Sequence, residues 1–217
     1  DPGKAFMAIT QRYNFLRSVT SALCEQKLQA NLASGFMYFH GRDKLQRPVL
    51  VVRPGKLDLT LTADSLVDHI VFTLQWAIEY ALVPGRVENW ITLIDLEGAP
   101  SMVSMDLLKE LVNTLQNVYR YRSAITLILH PPWIASVVWK SVQTFLPEDS
   151  KARVVWAAGK QGLQKVMELI QPHQLEQSFG GTAPNLKQGE FYPFKFFPDA
   201  PAQPPPAEPV LDRIFNS

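Results

Sequence analysis

The sequence predicts an α/β domain built on a mostly parallel β-sheet. Between residues 48 and 170, short apolar runs alternate with longer segments whose apolar residues recur at helical spacing. The runs at 91–94 and 125–129 show little polar alternation, which is typical of strands covered on both faces. Such alternation indicates right-handed crossovers between parallel strands. The 217 residues, 47% of them hydrophobic, can supply the core that this fold requires.

The individual elements can be assigned in order along the chain. Residues 4–27 place apolar side chains at helical spacing, which predicts one or two amphipathic helices. Aromatic and β-branched runs at 35–40 and 48–53, separated by the polar residues 41–44, predict two strands and a turn. The rest of the pattern predicts strands at 90–96, 124–129 and 154–157 and helices at 66–82, 107–118, 134–146 and 163–170.

The character of the sequence changes after Pro172. Residues 191–197 are densely aromatic, and residues 198–209 contain six prolines. We expect the aromatic run to lie outside the core, as an edge strand or as a membrane-facing patch. The proline-rich run predicts an extended chain, either a spacer or a docking peptide for an aromatic groove. We therefore divide the chain into a helical segment at 1–30, a main domain at 31–185 and a tail at 186–217.

Composition and charge limit the classes of partner. The net charge of +1 provides no field of one sign, so nucleic acid is not an expected partner. Cys24 is the only cysteine, which excludes an internal disulfide and a cysteine metal cluster and suits the cytoplasm. No apolar run approaches the roughly 18 residues that span a bilayer. We therefore expect membrane contact to be peripheral and transient.

The sequence lacks the motifs that α/β enzymes usually carry. It contains neither the G-x-S-x-G nucleophile turn nor the G-x-x-x-x-G-K-[ST] phosphate loop, and its four histidines form no H-x-x-x-H or H-x-H pair. Asp95 and Glu97 share a face at the end of a predicted strand, and two interpretations stay open. Asp95 braces the following loop while Glu97 is solvated, or the two carboxylates perform acid/base chemistry. Without a nearby nucleophile, base or metal, we expect no catalytic residue, no metal site and no cofactor.

Four motifs occur in order along the chain. They are Gly41-Arg42-Asp43 followed by Arg47-Pro48-Val49, the run at 90–98 (W-I-T-L-I-D-L-E-G), His130-Pro131-Pro132-Trp133-Ile134 leading to Phe145-Leu146, and the run at 174–181 (Q-L-E-Q-S-F-G-G). Together they resemble the CRAL-TRIO family of lipid-binding domains over about residues 5–185. The resemblance implies a sheet that floors a deep apolar pocket, with a swinging gate helix at its mouth. It also implies that residues 1–30 are the last part of a preceding helical bundle.

The resemblance places the gate at residues 133–146. On a helical projection, one apolar face of this segment can seal a cavity, and that face comprises Ile134, Val137, Val138, Val142 and Phe145. Trp139 and Leu146 lie on its flank, where we expect them to contact the membrane as the gate opens. From the residues alone, the segment also fits an ordinary amphipathic helix packed on a solid core.

A lipid enclosed in protein needs polar partners for its headgroup, because an unpaired polar group in a dry pocket costs about 1–3 kcal/mol. In phosphatidylinositol exchangers of this family, the resemblance implies a glutamate and a Thr/Lys pair at the headgroup. Those positions fall on Tyr121 and on Ser150 and Arg153, so a hydroxyl and a cation are kept and the carboxylate is lost. Thr92 matches a threonine at the phosphatidylcholine headgroup, whereas Trp90 replaces its neighbouring serine.

The sequence therefore predicts a non-catalytic protein that encloses one phospholipid or similar hydrophobic ligand and exchanges it between membranes. In the alternative, the same fold is a lipid sensor or a protein-interaction scaffold that recruits a partner through its proline-rich tail. A third hypothesis, an α/β hydrolase or phosphatase, depends on Asp95 and Glu97 alone.

Overall fold

A computed structural model of the chain describes residues 3, 6–7, 9–10, 13–15, 25–58, 60–100 and 105–197. Most of the predicted helical segment at 1–30 and the whole proline-rich run at 198–209 lie outside the described residues. The strands are β1 (Met37–Arg42), β2 (Pro48–Val52), β3 (Trp90–Asp95), β4 (Ser123–Leu129) and β5 (Val154–Ala157). The helices are α1 (Glu25–Ala33), α2 (Ala63–Trp76), α3 (Met105–Val118), α4 (Ala135–Val142), α5 (Glu148–Lys151) and α6 (Gly159–Leu169).

The five strands form one sheet in the order β1-β2-β3-β4-β5. β1 and β2 are antiparallel, whereas β2, β3, β4 and β5 run parallel to one another. In the parallel part, Val51 lies opposite Leu93, and Leu93 lies opposite Leu127. The α/β class with a mostly parallel sheet, predicted from the sequence, is thereby confirmed.

Asp43 organises the turn between β1 and β2. Its Oδ1 accepts the backbone N–H groups of Leu45 at 3.0 Å and of Arg47 at 2.8 Å. Its Oδ2 accepts the Nε–H of Arg47 at 2.7 Å, which adds an ion pair across the turn. This network explains why the first sequence motif combines an aspartate with an arginine four residues later.

Several helices differ in extent from the predictions. α2 begins early because Thr62 Oγ1 accepts the backbone N–H of Ser65 at 3.2 Å, and it continues as a π-helix at Ala77–Ala81. The predicted helix at 134–146 is divided into α4 and a 3-10 turn at Gln143–Phe145. α5 gives no signal in the sequence, because a single turn has no periodicity. None of the described helices is long and apolar enough to cross a bilayer.

The two faces of the sheet are covered unequally. On one face, Val51, Leu93 and Leu127 are fully buried. Side chains alternate between faces along a strand, so the residues between them point the other way. There, four residues of β3, β4 and β5 remain only half-buried, which differs from the prediction of strands covered on both sides. We call this side the open face; it carries Thr92, Ile94, Thr126, Ile128, Val154 and Trp156, of which Ile94, Thr126, Val154 and Trp156 are half-buried.

The aromatic segment, residues 191–197, packs into the core, so the prediction of a tail outside the core from residue 186 is wrong here. Phe191 is 4% exposed and contacts the ring of Tyr38, and Phe194 is 8% exposed and contacts Phe39. The segment lies beside β1, where Gly41 donates its N–H to the carbonyl of Lys195 at 2.9 Å. Only one isolated bridge joins it to β1, so it is not a continuous edge strand. The sequence did not indicate this packing because the segment lacks a periodic pattern.

Candidate functional site

The open face changes from polar to apolar along the strands. Thr92 Oγ1 lies 2.9 Å from Ser123 Oγ, and Ser123 Oγ lies 3.2 Å from Thr126 Oγ1. These hydroxyl groups form a short polar network toward the amino ends of β3 and β4. Toward the carboxyl ends, the same face carries Ile94 and Trp156. An amphipathic molecule laid along the strands would therefore find polar partners at one end and apolar contacts at the other.

Helix α4 lies over the apolar end of the open face. The rings of Trp139 on α4 and Trp156 on β5 meet edge to face, with centroids 6.0 Å apart and planes inclined by 77°. Ala135 is buried, while Val138 and Val142, which follow at helical spacing, are half-buried. The segment predicted as the gate thus contacts β5 at the apolar end of the face.

The side of α4 that faces the sheet is rotated relative to the prediction. Val137, expected to face inward, is 53% exposed, whereas Trp139, expected at the membrane, packs inward against Trp156. Ala135, at the start of α4, is buried on the same inward side. The other residues predicted for the gate face and its flank, Ile134, Val138, Val142, Phe145 and Leu146, are all half-buried. Trp133, which the sequence analysis did not assign, is 84% exposed at the start of the gate.

Tyr121 lies in the turn between the end of α3 and the start of β4, and two cations surround its ring. The guanidinium carbons of Arg120 and Arg153 lie 4.9 and 5.1 Å from the centroid of its ring. Its backbone has a φ of 63°, in the left-handed region that non-glycine residues rarely adopt. The tyrosine side chain is 40% exposed, with both cations beside its ring. Arg120 was missed by the sequence analysis because the resemblance offers no matching cation at that position.

Ser150 and Arg153 join the same region from the segment before β5. Arg153 donates to the carboxylate of Asp149 at 2.7 Å and to the carbonyl of Ser123 at 3.4 Å. Ser150 donates its hydroxyl hydrogen to Gln116 Oε1 at 3.2 Å. Of the four residues that the resemblance assigned to the headgroup, Arg153 contacts Tyr121 directly and is linked to Thr92 through Ser123, whereas the side chain of Ser150 is directed to Gln116. Ser123 links Thr92 and Arg153. The only sequence signal for a role of Ser123 is its hydroxyl group at the start of a predicted strand.

At the carboxyl ends of the strands, Asp95 holds the loop that follows β3. Its Oδ1 accepts the backbone N–H of Glu97 at 3.1 Å and lies 2.9 Å from His130 Nδ1, and its Oδ2 lies 3.3 Å from Arg53 Nε. Asp95 therefore braces the loop while Glu97 is exposed, as the first interpretation from the sequence states. Potential metal-ligand atoms of Asp95, Glu97 and His130 lie within 4.8 Å of one another. The Arg53 cation beside Asp95 opposes the binding of a metal cation among them.

Comparisons with known proteins identify relatives over most of the chain. A model of the CRAL/TRIO domain family matches residues 32–181. A CRAL-TRIO domain-containing protein of Schizosaccharomyces pombe is 27% identical over 158 residues, which cover 72% of this chain and 15% of that protein. The phosphatidylinositol/phosphatidylcholine transfer protein SFH4 of Arabidopsis thaliana is 24% identical, over 70% of this chain and 27% of its own length. The SEC14 cytosolic factor of Yarrowia lipolytica is 23% identical, over 67% and 32% respectively.

The chain thus spans about a third or less of the length of these three relatives. Among solved structures, that of Sfh5 matches with a TM-score of 0.69 and 13% identity, and the match covers 87% of this chain and 71% of that chain. At this identity the likeness concerns the fold alone. The family model, in contrast, matches well over half of the 217 residues by sequence. The chain therefore belongs to the CRAL/TRIO domain family.

Proposed function

We propose that this chain binds one amphipathic lipid on the open face, beneath α4, and exchanges it with membranes without catalysis. The change from hydroxyl groups to apolar side chains along that face carries the proposal, because an amphipathic ligand needs both surfaces in that order. Residues 31–185 would form the lipid-binding unit. The names of two relatives, a phosphatidylinositol/phosphatidylcholine transfer protein and a cytosolic factor, support this function and a cytoplasmic location.

The polar end of the ligand would lie among Thr92, Tyr121, Ser150 and Arg153. Arg120 and Arg153 each lie against the ring of Tyr121, and a guanidinium group favours a phosphate group through charge-assisted hydrogen bonds. Asp149 neutralises part of the charge of Arg153, so the phosphate would share that cation with it. Tyr121 offers no carboxylate to an inositol ring. We therefore propose that the ligand is a phospholipid, because these residues suit its phosphate group. Mass spectrometry of the bound lipid would identify the headgroup.

Exchange requires α4 to move away from the sheet. The contact between Trp139 and Trp156 would break, and the open face would then be accessible from the membrane. The open state becomes populated only when something binds it better than the closed state. Apolar side chains of the gate that insert into a membrane would supply that difference in affinity, and closure would return them to the lipid tails.

The outer side of the gate offers a first contact with the membrane. Trp133, in the turn before α4, is 84% exposed, and Val137, in the first turn of α4, is 53% exposed. A tryptophan at the surface suits the headgroup layer of a bilayer, because its ring is apolar and its indole N–H is polar. This assignment replaces Trp139 as the first residue to meet the membrane in the closed state.

Replacing Trp133 with alanine is expected to weaken membrane association. Loss of the inserted indole should cost about 1–2 kcal/mol, which corresponds to about a five- to thirty-fold lower affinity for phospholipid vesicles. Co-sedimentation with vesicles measures this affinity, and the amount of lipid retained by the purified protein should not change. Leu45→Ala is the control, because Leu45 is an exposed apolar residue in the turn between β1 and β2, at the opposite edge of the sheet. Equal affinities of Trp133→Ala and the unaltered protein would contradict the contact.

Identification of the bound molecule tests the proposed function directly. Native mass spectrometry would measure the mass of the purified protein, and any bound lipid would then be extracted with organic solvent and identified. We expect one phospholipid per chain, either from purification or after incubation with vesicles of phosphatidylcholine, phosphatidylinositol and sterol. A ligand-free mass that stays unchanged after that incubation would overturn the proposal and favour a protein-interaction scaffold.

A further inference from the structure

A partly exposed group of aromatic rings lies near the last described residues of the chain. The rings of Trp76, at the end of α2, and Phe196 are parallel within 1°, with centroids 6.1 Å apart. Tyr80 follows in the π-helix, and its ring centroid lies 5.5 Å from that of Trp76. Tyr80 is 65% exposed, while Trp76 and Phe196 are half-buried. We call these three residues the aromatic surface.

The core of the domain does not depend on the exposed part of the aromatic surface. Within the aromatic segment, Phe191 and Phe194 are the residues that fill the core. Tyr80, in contrast, adds its ring to the outside of the molecule, and an exposed cluster of rings is typical of an interaction site. Tyr80 also lies in a π-helix, and such irregular turns are frequent at functional sites.

The sequence that follows provides a suitable occupant. Pro198 directly succeeds the last described residue, Phe197, and the run at 198–209 includes Pro204-Pro205-Pro206. Proline-rich chains are already extended, so they lose little entropy on binding, and their rings pack well against aromatic side chains. Pro201 is five residues beyond Phe196, and five residues reach up to about 16 Å. The aromatic surface lies well within that distance, since the ring of Trp76 is 6.1 Å from that of Phe196.

We propose that residues 201–206 dock on the aromatic surface of the same chain. Attachment at Phe197 gives the proline-rich run an effective concentration of about 1 mM at the surface, so a weak intrinsic affinity suffices. Docking covers Tyr80 and keeps the run unavailable to aromatic grooves of other proteins. The inference does not depend on the proposed lipid function.

The indole N–H resonance of Trp76 in ¹⁵N NMR spectra reports on this docking. The chain has five tryptophans, and Trp76→Phe identifies the relevant signal. In the full chain, the combined change Pro204→Ser, Pro205→Ser and Pro206→Ser is expected to shift that signal, whereas Pro209→Ser, outside the docked residues, leaves it in place. A synthetic peptide of residues 198–212 should move the signal of the triple variant back, with half-saturation at about 0.1–1 mM.

A second substitution tests the surface itself. Tyr80→Ala in the triple variant should abolish the response to the peptide, and because Tyr80 is exposed its removal leaves the fold intact. Tyr121→Ala removes another exposed tyrosine, near β4, and should leave the response unchanged. Identical Trp76 signals in the unaltered chain and the triple variant would overturn the proposal. A difference that disappears on tenfold dilution would overturn it as well, by showing that the run binds a second copy.

Discussion

Val138→Asp is expected to lower the affinity for phospholipid about thirtyfold. Val138 is half-buried on the side of α4 that carries the buried Ala135, so a carboxylate there would face the lipid tails beneath the closed gate. Burying a charge without a partner is costly, and residual access to water reduces the cost here to about 2 kcal/mol. That energy corresponds to the thirtyfold loss. Titration with a fluorescent phospholipid analogue measures the affinity at equilibrium.

The neighbouring residue provides a matched control. Val137→Asp makes the same chemical change one position away, but Val137 is 53% exposed on the outer side of α4. We expect this variant to bind the lipid with normal affinity and to associate less with vesicles, because its charge opposes insertion of the gate. Circular dichroism would establish that both variants are folded. Equal lipid affinities in the two folded variants would show that α4 does not close the site.

The fold could be predicted from the sequence where the residues repeat in a regular way. Each of the five strands corresponds to an apolar run in the sequence, and the polar residues before Pro48 indicated the first hairpin. The position of α4 over the open face depended on the resemblance, because its apolar stripe fits a solid core equally well. The predicted orientation of the stripe was wrong at Val137 and Trp139, because a helical projection does not include the partner on another element, here Trp156, that draws Trp139 inward.

Features that depend on contacts distant in sequence could not be predicted. The aromatic segment enters the core because Tyr38, Phe39 and Trp76 happen to surround it, and no local pattern indicates those partners. The cations around Tyr121 come from two separate parts of the chain, and only the strand order brings Arg153 to it. The four residues proposed for the headgroup were assigned by their positions relative to family motifs, not by any spacing that the chemistry requires.

Acidification from pH 7 to pH 4 is expected to cost about 3 kcal/mol of stability through His69 alone. His69 lies on α2 against Phe36, and burial lowers its pKa from 6.5 to about 4, although a hydrogen bond with the backbone of Met37 partly opposes the shift. The unfolded chain therefore takes up this proton at a higher pH than the folded protein. Stability falls as the pH drops from 6.5 toward 4, by up to about 1.4 kcal/mol per pH unit, and this contribution then levels off.

Urea denaturation at a series of pH values measures this dependence. His69→Gln removes the titrating group, so the free energy of unfolding should fall less steeply between pH 6.5 and 4 than in the unaltered protein. Part of the slope should remain, because burial also lowers the pKa of His40 and acts in the same direction. Ile70→Val, a change at the next buried residue, should lower stability by about 1 kcal/mol at every pH without altering the slope. A slope unchanged by His69→Gln would mean that the folded protein accommodates the charged imidazole, through a rearrangement of α2 against β1.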